Sequence, residues 1–316
     1  MYKKTFLVFL TIALTIMLFS GCSFFNGSGV RISEKDISAF NSVSVSTSLS
    51  KIEFIESGKY GMEIFVPQGY SPEWDLTNGR LTINETMNDI DINIGFVSNE
   101  YYVKVYYPAG TAFDGIDLRT SSGRIQLPKL EVTDLKLRTS SGAINANTAN
   151  CENASLDTSS GDIVFSGNEG RVNMTTSSGA VRSEIENCEA VNITTSSGEI
   201  TLTGKGDLAT ALSANTSSGS IDITGVAWRD ATTKTSSGST TISGKLLGNT
   251  SVVSSSGSVN INVNGSPSEY GYTLTPGSGS IHWNGDRMES PARSSGSFEN
   301  NIDVKTSSGS IRVDFK

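Results

Sequence analysis

A single histidine, His282, is all the imidazole that 316 residues contain. Reactions that need a histidine base therefore have one candidate, and an isolated histidine is more often a structural or surface residue than a base. Basic residues are in deficit too: 24 Lys and Arg stand against 32 Asp and Glu, a formal net charge of −8. That balance favours neither a nucleic-acid partner nor an anionic bilayer surface and suits a soluble body held off the membrane. Aromatic residues make up only 8% of the chain while glycine reaches 32 residues, so a core has to be assembled from many short, turn-rich elements. The signals of metal and nucleophile chemistry are also missing. There is no G-G-x-G-x-D calcium repeat, "DIDIN" at Asp89–Asn93 lacks the spacing of an EF-hand loop, and no G-x-S-x-G elbow follows a strand. The carboxylates of Asp162 and Glu199 have no partner at a fixed spacing. The expectation is of no enzyme, no cofactor, no metal and no catalytic residue.

A long apolar run occurs at the N-terminus, where Lys3 and Lys4 precede the stretch from Thr5 to Phe19 and the small residues Ser20 and Gly21 lead to Cys22. A basic start, an apolar middle and a small-residue exit describe a secretory signal rather than a spanning helix. The ending Leu18-Phe19-Ser20-Gly21-Cys22 resembles the bacterial lipobox, which implies a diacylglycerol on the cysteine sulfur before cleavage. Residues 1–21 are thus expected as a lipoprotein signal peptide and Cys22 as the lipidated membrane anchor. Loss of Lys3 and Lys4 leaves a net charge of about −10. Residues 22–36 read as a flexible, lipid-anchored tether. Ser23 is not the aspartate associated with inner-membrane retention, which favours the outer membrane in a cell that has two.

What the chain has in abundance is one tetrapeptide. TSSG ends at Gly123, Gly142, Gly161, Gly179, Gly198, Gly219, Gly238 and Gly309, with looser copies ending at Gly257, Gly279 and Gly296. A period near 19 residues falls in the range of solenoids. Two residues after the markers stand Ile125, Ile144, Ile163, Val181, Ile200, Ile221, Thr240, Val259, Ile281, Phe298 and Ile311; five before them come Leu118, Leu137, Leu156, Met174 and Ile193. The interleaved positions are polar, among them Asp117, Lys136, Ser155 and Asn173. Period-two alternation means strands with one buried face, not helices. The reading is an all-β fold, a parallel β-helix (β-solenoid) of about ten rungs, in which TSSG is the corner between two strands. The threonine shares the inward parity, the serines are expected to satisfy backbone groups at the turn, and the glycine to supply a positive φ or close packing. Cys151 and Cys188 fall in one column two rungs apart. That is roughly 9–10 Å at the strand spacing and beyond the reach of a disulfide, so they are expected as separate buried thiols.

Residues 37–113 lack the marker but carry strand-like runs, with a hairpin signal at Thr77–Gly79. They read as an N-terminal β cap leading into the solenoid, residues 114–316, with which they form one domain. Residues 262–293 look like a looped-out insertion, and the final strand "SIRVDF" like an open edge. In "YYVKVYYP", Tyr102, Lys104 and Tyr106 share an outward face and are candidates for stacking on sugar rings.

"VKVYYPAGTAFDGIDLRTSSGRIQL" (Val103–Leu127) followed by iterated "LxLxTSSGxI" is similar to the bacterial putative-adhesin β-strand-repeat family, a domain of unknown function. "FNSVSVSTSLSKIEFIESGKYGMEIFVP" resembles the opening of the related head-GIN-type domain. The resemblance covers roughly residues 38–316 and implies a parallel β-helix outside the cytoplasm with no known catalytic residues. It leads to a non-enzymatic cell-surface lipoprotein, an adhesin binding a surface, glycan or protein. The alternatives are an envelope-stress or regulatory lipoprotein with a membrane-protein partner and, more distantly, an enzyme acting on envelope polysaccharide.

Overall fold

Alternating apolar residues stay buried on one side of a strand only if something covers that side. Here the cover is the next strand of the same rung. The computed structural model describes residues 29–87, 101–168, 170–206 and 210–316, and they form two long parallel ladders around one shared core. In a typical rung Asn153–Asp157 belongs to the first ladder and Ile163–Asn168 to the second, with Thr158–Gly161 turning the chain between them. Asn153 sits opposite Asp134 and Arg171, and Ile163 opposite Ile144 and Val181. Equivalent residues therefore stack in register, and Ile125, Ile144, Ile163, Val181, Ile200 and Ile221 make one continuous buried row. Each such side chain contributes about 1.5–3 kcal/mol by leaving water, and only stacking makes that burial possible. Thr240, the polar member of the same row, is fully buried too. Two strands, Ile125–Thr139 and Ile221–Ser237, run from one ladder into the other without a break.

Both ends depart from chain order. Along the first ladder the sequence is Arg80–Met87, Ser42–Thr47, then Ala112–Thr120; along the second it is Tyr102–Pro108, Lys51–Ser57, then Ile125–Thr139. The segment expected as a cap thus contains two full rungs, the outer one formed later in the chain than the inner. The far end mirrors this. Asn300–Ser308 and Ile311–Phe315 insert between the rung of Asn249–Ser256 and Val259–Val263 and the terminal rung of Tyr270–Ser278 and Ile281–Trp283. "SIRVDF" is therefore an interior strand, not an open edge, because it has a partner on each side. Residues 270–283 are a rung rather than part of a loop-out. Gly296 is no rung corner, since "RSSG" follows the short strand Ala292–Arg293, which lies antiparallel on Tyr270–Ser278. Ten rungs carry a marker glycine, and the two at the N-terminal end do not.

Antiparallel strands close the ends. Gly61–Pro67 pairs with Tyr102–Pro108, Gly29–Lys35 pairs with Gly61–Pro67, and Tyr70–Thr77 returns on Arg80–Met87 through a turn with positive φ at Asn78 and Gly79. The strand Gly29–Lys35 begins inside the span expected as tether. At the other end the closing strands, Asp286–Met288 and Ala292–Arg293, are only three and two residues long. Short or charged edge strands discourage further pairing.

Candidate binding surface

The corner chemistry follows from stacking. In each mid-rod rung the threonine is buried, and its Oγ1 does two jobs. Thr158 Oγ1 accepts the Gly161 N–H at 3.1 Å and donates to the Gly142 carbonyl of the preceding rung at 3.2 Å. The same pair of bonds recurs at Thr139, Thr176, Thr195 and Thr216. The marker glycines from Gly123 to Gly219 have no positive φ. Close approach requires them instead: a Cβ on Gly161 would lie 1.8 Å from the Gly142 carbonyl oxygen, and on Gly198 1.7 Å from that of Gly179.

The serines play another part from the one expected. Their backbones are satisfied rung to rung, as where the N–H groups of Ser140 and Ser141 both donate to the Ser121 carbonyl at 3.0 and 2.9 Å. Their side chains are exposed in every TSSG corner. The fold does not demand serine there, because Leu49 occupies the second serine's place in the corner Thr47–Ser50 and is simply 45% exposed. From Gly219 onward a third serine follows the glycine, at Ser220, Ser239, Ser258, Ser280 and Ser310. The result is a strip of hydroxyl columns along one edge of the rod. Near its N-terminal end lies a shallow depression of about 380 Å³, lined by Ser46, Arg119, Ser121, Arg138, Ser140 and Asp157.

Tyr102, Lys104 and Tyr106 do come together, half-buried on the outer face of Tyr102–Pro108. Cross-strand rows extend that face over four strands. Arg31, Phe65, Tyr102 and Lys51 form one row, Ser33, Glu63, Lys104 and Glu53 the next, and Lys35, Gly61, Tyr106 and Ile55 the third. Lys104 lies between two glutamates, with its Nζ 4.3 Å from the centre of the Tyr102 ring. Burial, and after it Glu63, pushes the Tyr106 hydroxyl up to about 12, so it remains a neutral donor. Arg31 covers Phe65 at 4.1 Å. Sequence reading missed Arg31 and Phe65, although the alternation in "GVRIS" and "GMEIF" places both on this face, where Arg31 is exposed and Phe65 is buried beneath it.

The remaining candidates stay apart. Cys22 and Asp89–Asn93 lie outside the described residues. His282, on the terminal rung, has Nδ1 3.5 Å from the Ser280 hydroxyl and stands opposite Arg312 and Arg287, a setting of cations and a hydroxyl. Asp162 is engaged by the Ala180 N–H at 2.8 Å. Among the described residues no three His, Cys, Asp or Glu gather as metal ligands. Cys151 and Cys188 are buried thiols, and burial raises that of Cys151 to about 12.

A family model described as Toastrack DUF4097 matches residues 26–223 and, overlapping them, residues 170–314. No curated protein matches. Among solved structures, a putative lipid binding protein from Parabacteroides distasonis is 16% identical with a TM-score of 0.46, covering 91% of this chain and 97% of its own. A putative adhesin from Parabacteroides merdae is 12% identical at 0.39, covering 91% and 97%. A putative adhesin from Bacteroides fragilis is 13% identical at 0.34, covering 92% and 100%.

Proposed function

We propose that this chain, which belongs to the Toastrack DUF4097 family, is a non-catalytic adhesive rod of the cell envelope, exported, held by a lipid on Cys22 and binding along its serine edge. The observation that carries this reading is the repetition of serine where the fold leaves the side chain in water. Threonine and glycine recur because hydrogen bonds and sterics require them. The two serines between them recur with their side chains in water, and Leu49 shows that the second position has no such requirement. Regularly spaced hydroxyls, one pair for each strand spacing of about 4.8 Å, offer donors and acceptors to a partner that is itself repetitive, such as a glycan or a polymer surface.

The test is binding of the mature chain to whole cells and to fractionated envelope polymers of its own host. A second protein carries alanine at Ser159, Ser160, Ser177, Ser178, Ser196 and Ser197. Saturable binding by the parent and a several-fold loss in the variant, at an unchanged unfolding midpoint, is the expected result. Equal binding by both would remove the serine edge from the function. No saturable binding by the parent would overturn the adhesive reading itself.

A further inference from the structure

We infer that the outer face made by Gly29–Lys35, Gly61–Pro67, Tyr102–Pro108 and Lys51–Ser57 rests on the bilayer that holds the anchor, and so fixes how the rod is presented. The inference rests on Cys22 being lipidated.

Chain length comes first. Gly29, where the first strand begins, is seven residues from Cys22, a reach of at most about 25 Å when fully extended. The strand Gly29–Lys35 is the outermost of its ladder and cannot stand far from the membrane. Of its two sides, Ile32 turns inward to the core, while Arg31, Ser33 and Lys35 are exposed on the side that continues into the half-buried Tyr102 and Tyr106, with Phe65 buried beneath Arg31.

Charge and amphipathicity come second. This face carries Arg31, Lys35, Lys51 and Lys104 against Glu53 and Glu63, an excess of bases on a chain whose formal charge is −8. The acids are already engaged, Glu53 by Lys51 at 2.7 Å and Glu63 by the Tyr106 hydroxyl. Arg31 and Lys35 are therefore left to meet anionic headgroups. Tyrosines with an apolar ring and a hydroxyl at the tip suit the boundary between headgroup and acyl chain, and long basic side chains lie along it with their charge in water. The acidic remainder of the rod is repelled by the same surface, so attraction on this face and repulsion elsewhere select one orientation. A sugar ligand would also use Tyr102 and Tyr106, but it gives no reason for Arg31 and Lys35 to lie on the strand that leaves the anchor.

The experiment uses the lipidated protein in vesicles of phosphatidylcholine and phosphatidylglycerol, with a fluorophore at Ser33→Cys or, as control, at Lys136→Cys on the outer face of the other ladder. Headgroup-nitroxide lipids are expected to quench most of the emission at position 33 and little of it at 136, and Arg31→Glu with Lys35→Glu to abolish the difference. Equal quenching at both positions overturns the inference. So does a change in emission at position 33 with soluble oligosaccharide but not with lipid, which reassigns the face to a glycan. Mass spectrometry of Cys22 separates the two levels. A chain without the lipid refutes the anchor and this inference with it, whereas a lipidated chain with unquenched Ser33→Cys refutes only the inference.

Discussion

The two long edges of the rod turn the chain by different means. On the TSSG edge from Gly123 to Gly219 the turn is made by stacking: threonine Oγ1 ties its own rung to the one before, and glycine lets two backbones approach, a positive φ joining that close approach only from Gly238 onward. On the opposite edge it is made by backbone conformation. Asn150, Gly170, Asn187, Gly206, Asp230 and Gly248 all have φ between 47° and 81°, the left-handed region that Asn, Asp and Gly tolerate best. Neighbours there adapt to one another: a Cβ on Gly206 would meet Asn187 Oδ1 at 2.2 Å, and one on Gly248 would meet Asp230 Oδ1 at 2.3 Å. An edge built on conformation accepts several residue types and loop lengths. An edge built on contact repeats one motif. The sharpest way to break this comparison is to exchange one residue on each side. Gly161→Ala places a methyl against backbone on the stacked edge and should cost about 3 kcal/mol or more, beyond ordinary overpacking because backbone cannot repack. Asn150→Gly on the conformational edge should cost within about 1 kcal/mol. Chemical unfolding of both variants decides it, and similar losses would mean that the edges do not differ in kind.

Because the stacked edge has a fixed chemistry, it was the part most legible in the sequence. The inward columns, the buried threonines and the separated cysteines all follow from counting residues from each glycine. Rung order at the ends was not legible. Ser42–Thr47 and Arg80–Met87 have the same alternation, and nothing in either says that the later one lies further out. The corner Thr47–Ser50 hides because serine stands where glycine is expected; at that end its carbonyl is still the one that a Cβ on Gly123 would strike, at 1.9 Å. The face around Tyr102 was legible only in part. Parity gave Tyr102, Lys104 and Tyr106 from one strand, whereas Arg31 and Phe65 depend on antiparallel pairings that connect distant segments.

A smaller effect separates the two roles of threonine on the stacked edge. Thr158→Val keeps shape and burial but leaves the Gly161 N–H and the Gly142 carbonyl without the hydroxyl, a loss of about 1–3 kcal/mol. Thr158→Ser keeps the hydroxyl and removes one methyl, worth about 0.8 kcal/mol. The chain contains its own version of the second change, since Ser254 takes the threonine position and still reaches the Gly238 carbonyl at 3.5 Å. Unfolding midpoints should therefore fall in the order parent, serine, valine. If valine were as stable as serine, packing rather than hydrogen bonding would hold the edge.

The smallest effect lies where the stacked edge ends. The rung of Ser42–Thr47 has no TSSG corner outside it, and Glu85 of the terminal rung supplies the missing acceptor: its Oε2 takes the Ser48 N–H and the Ser50 hydroxyl, each at 3.3 Å. Burial raises the pKa of this carboxyl, the bonds from Ser48 and Ser50 opposing but not cancelling it. A carboxyl whose folded pKa lies above its unfolded value holds its proton more tightly in the folded state. Its contribution to stability is therefore present below the unfolded value and is lost as pH rises through the folded one. Glu85→Gln keeps an oxygen that accepts both bonds and removes the buried charge. The variant should be more stable than the parent at neutral pH, by less than about 1 kcal/mol because the group is only partly buried, and the two should converge as pH falls. Paired unfolding curves across that range isolate the group, since every other carboxylate is common to both. A parent that gains on the variant as pH rises would mean that the end of the edge needs the charge itself, as the N-terminus of a helix does, and not merely the last acceptor in a column of carbonyls.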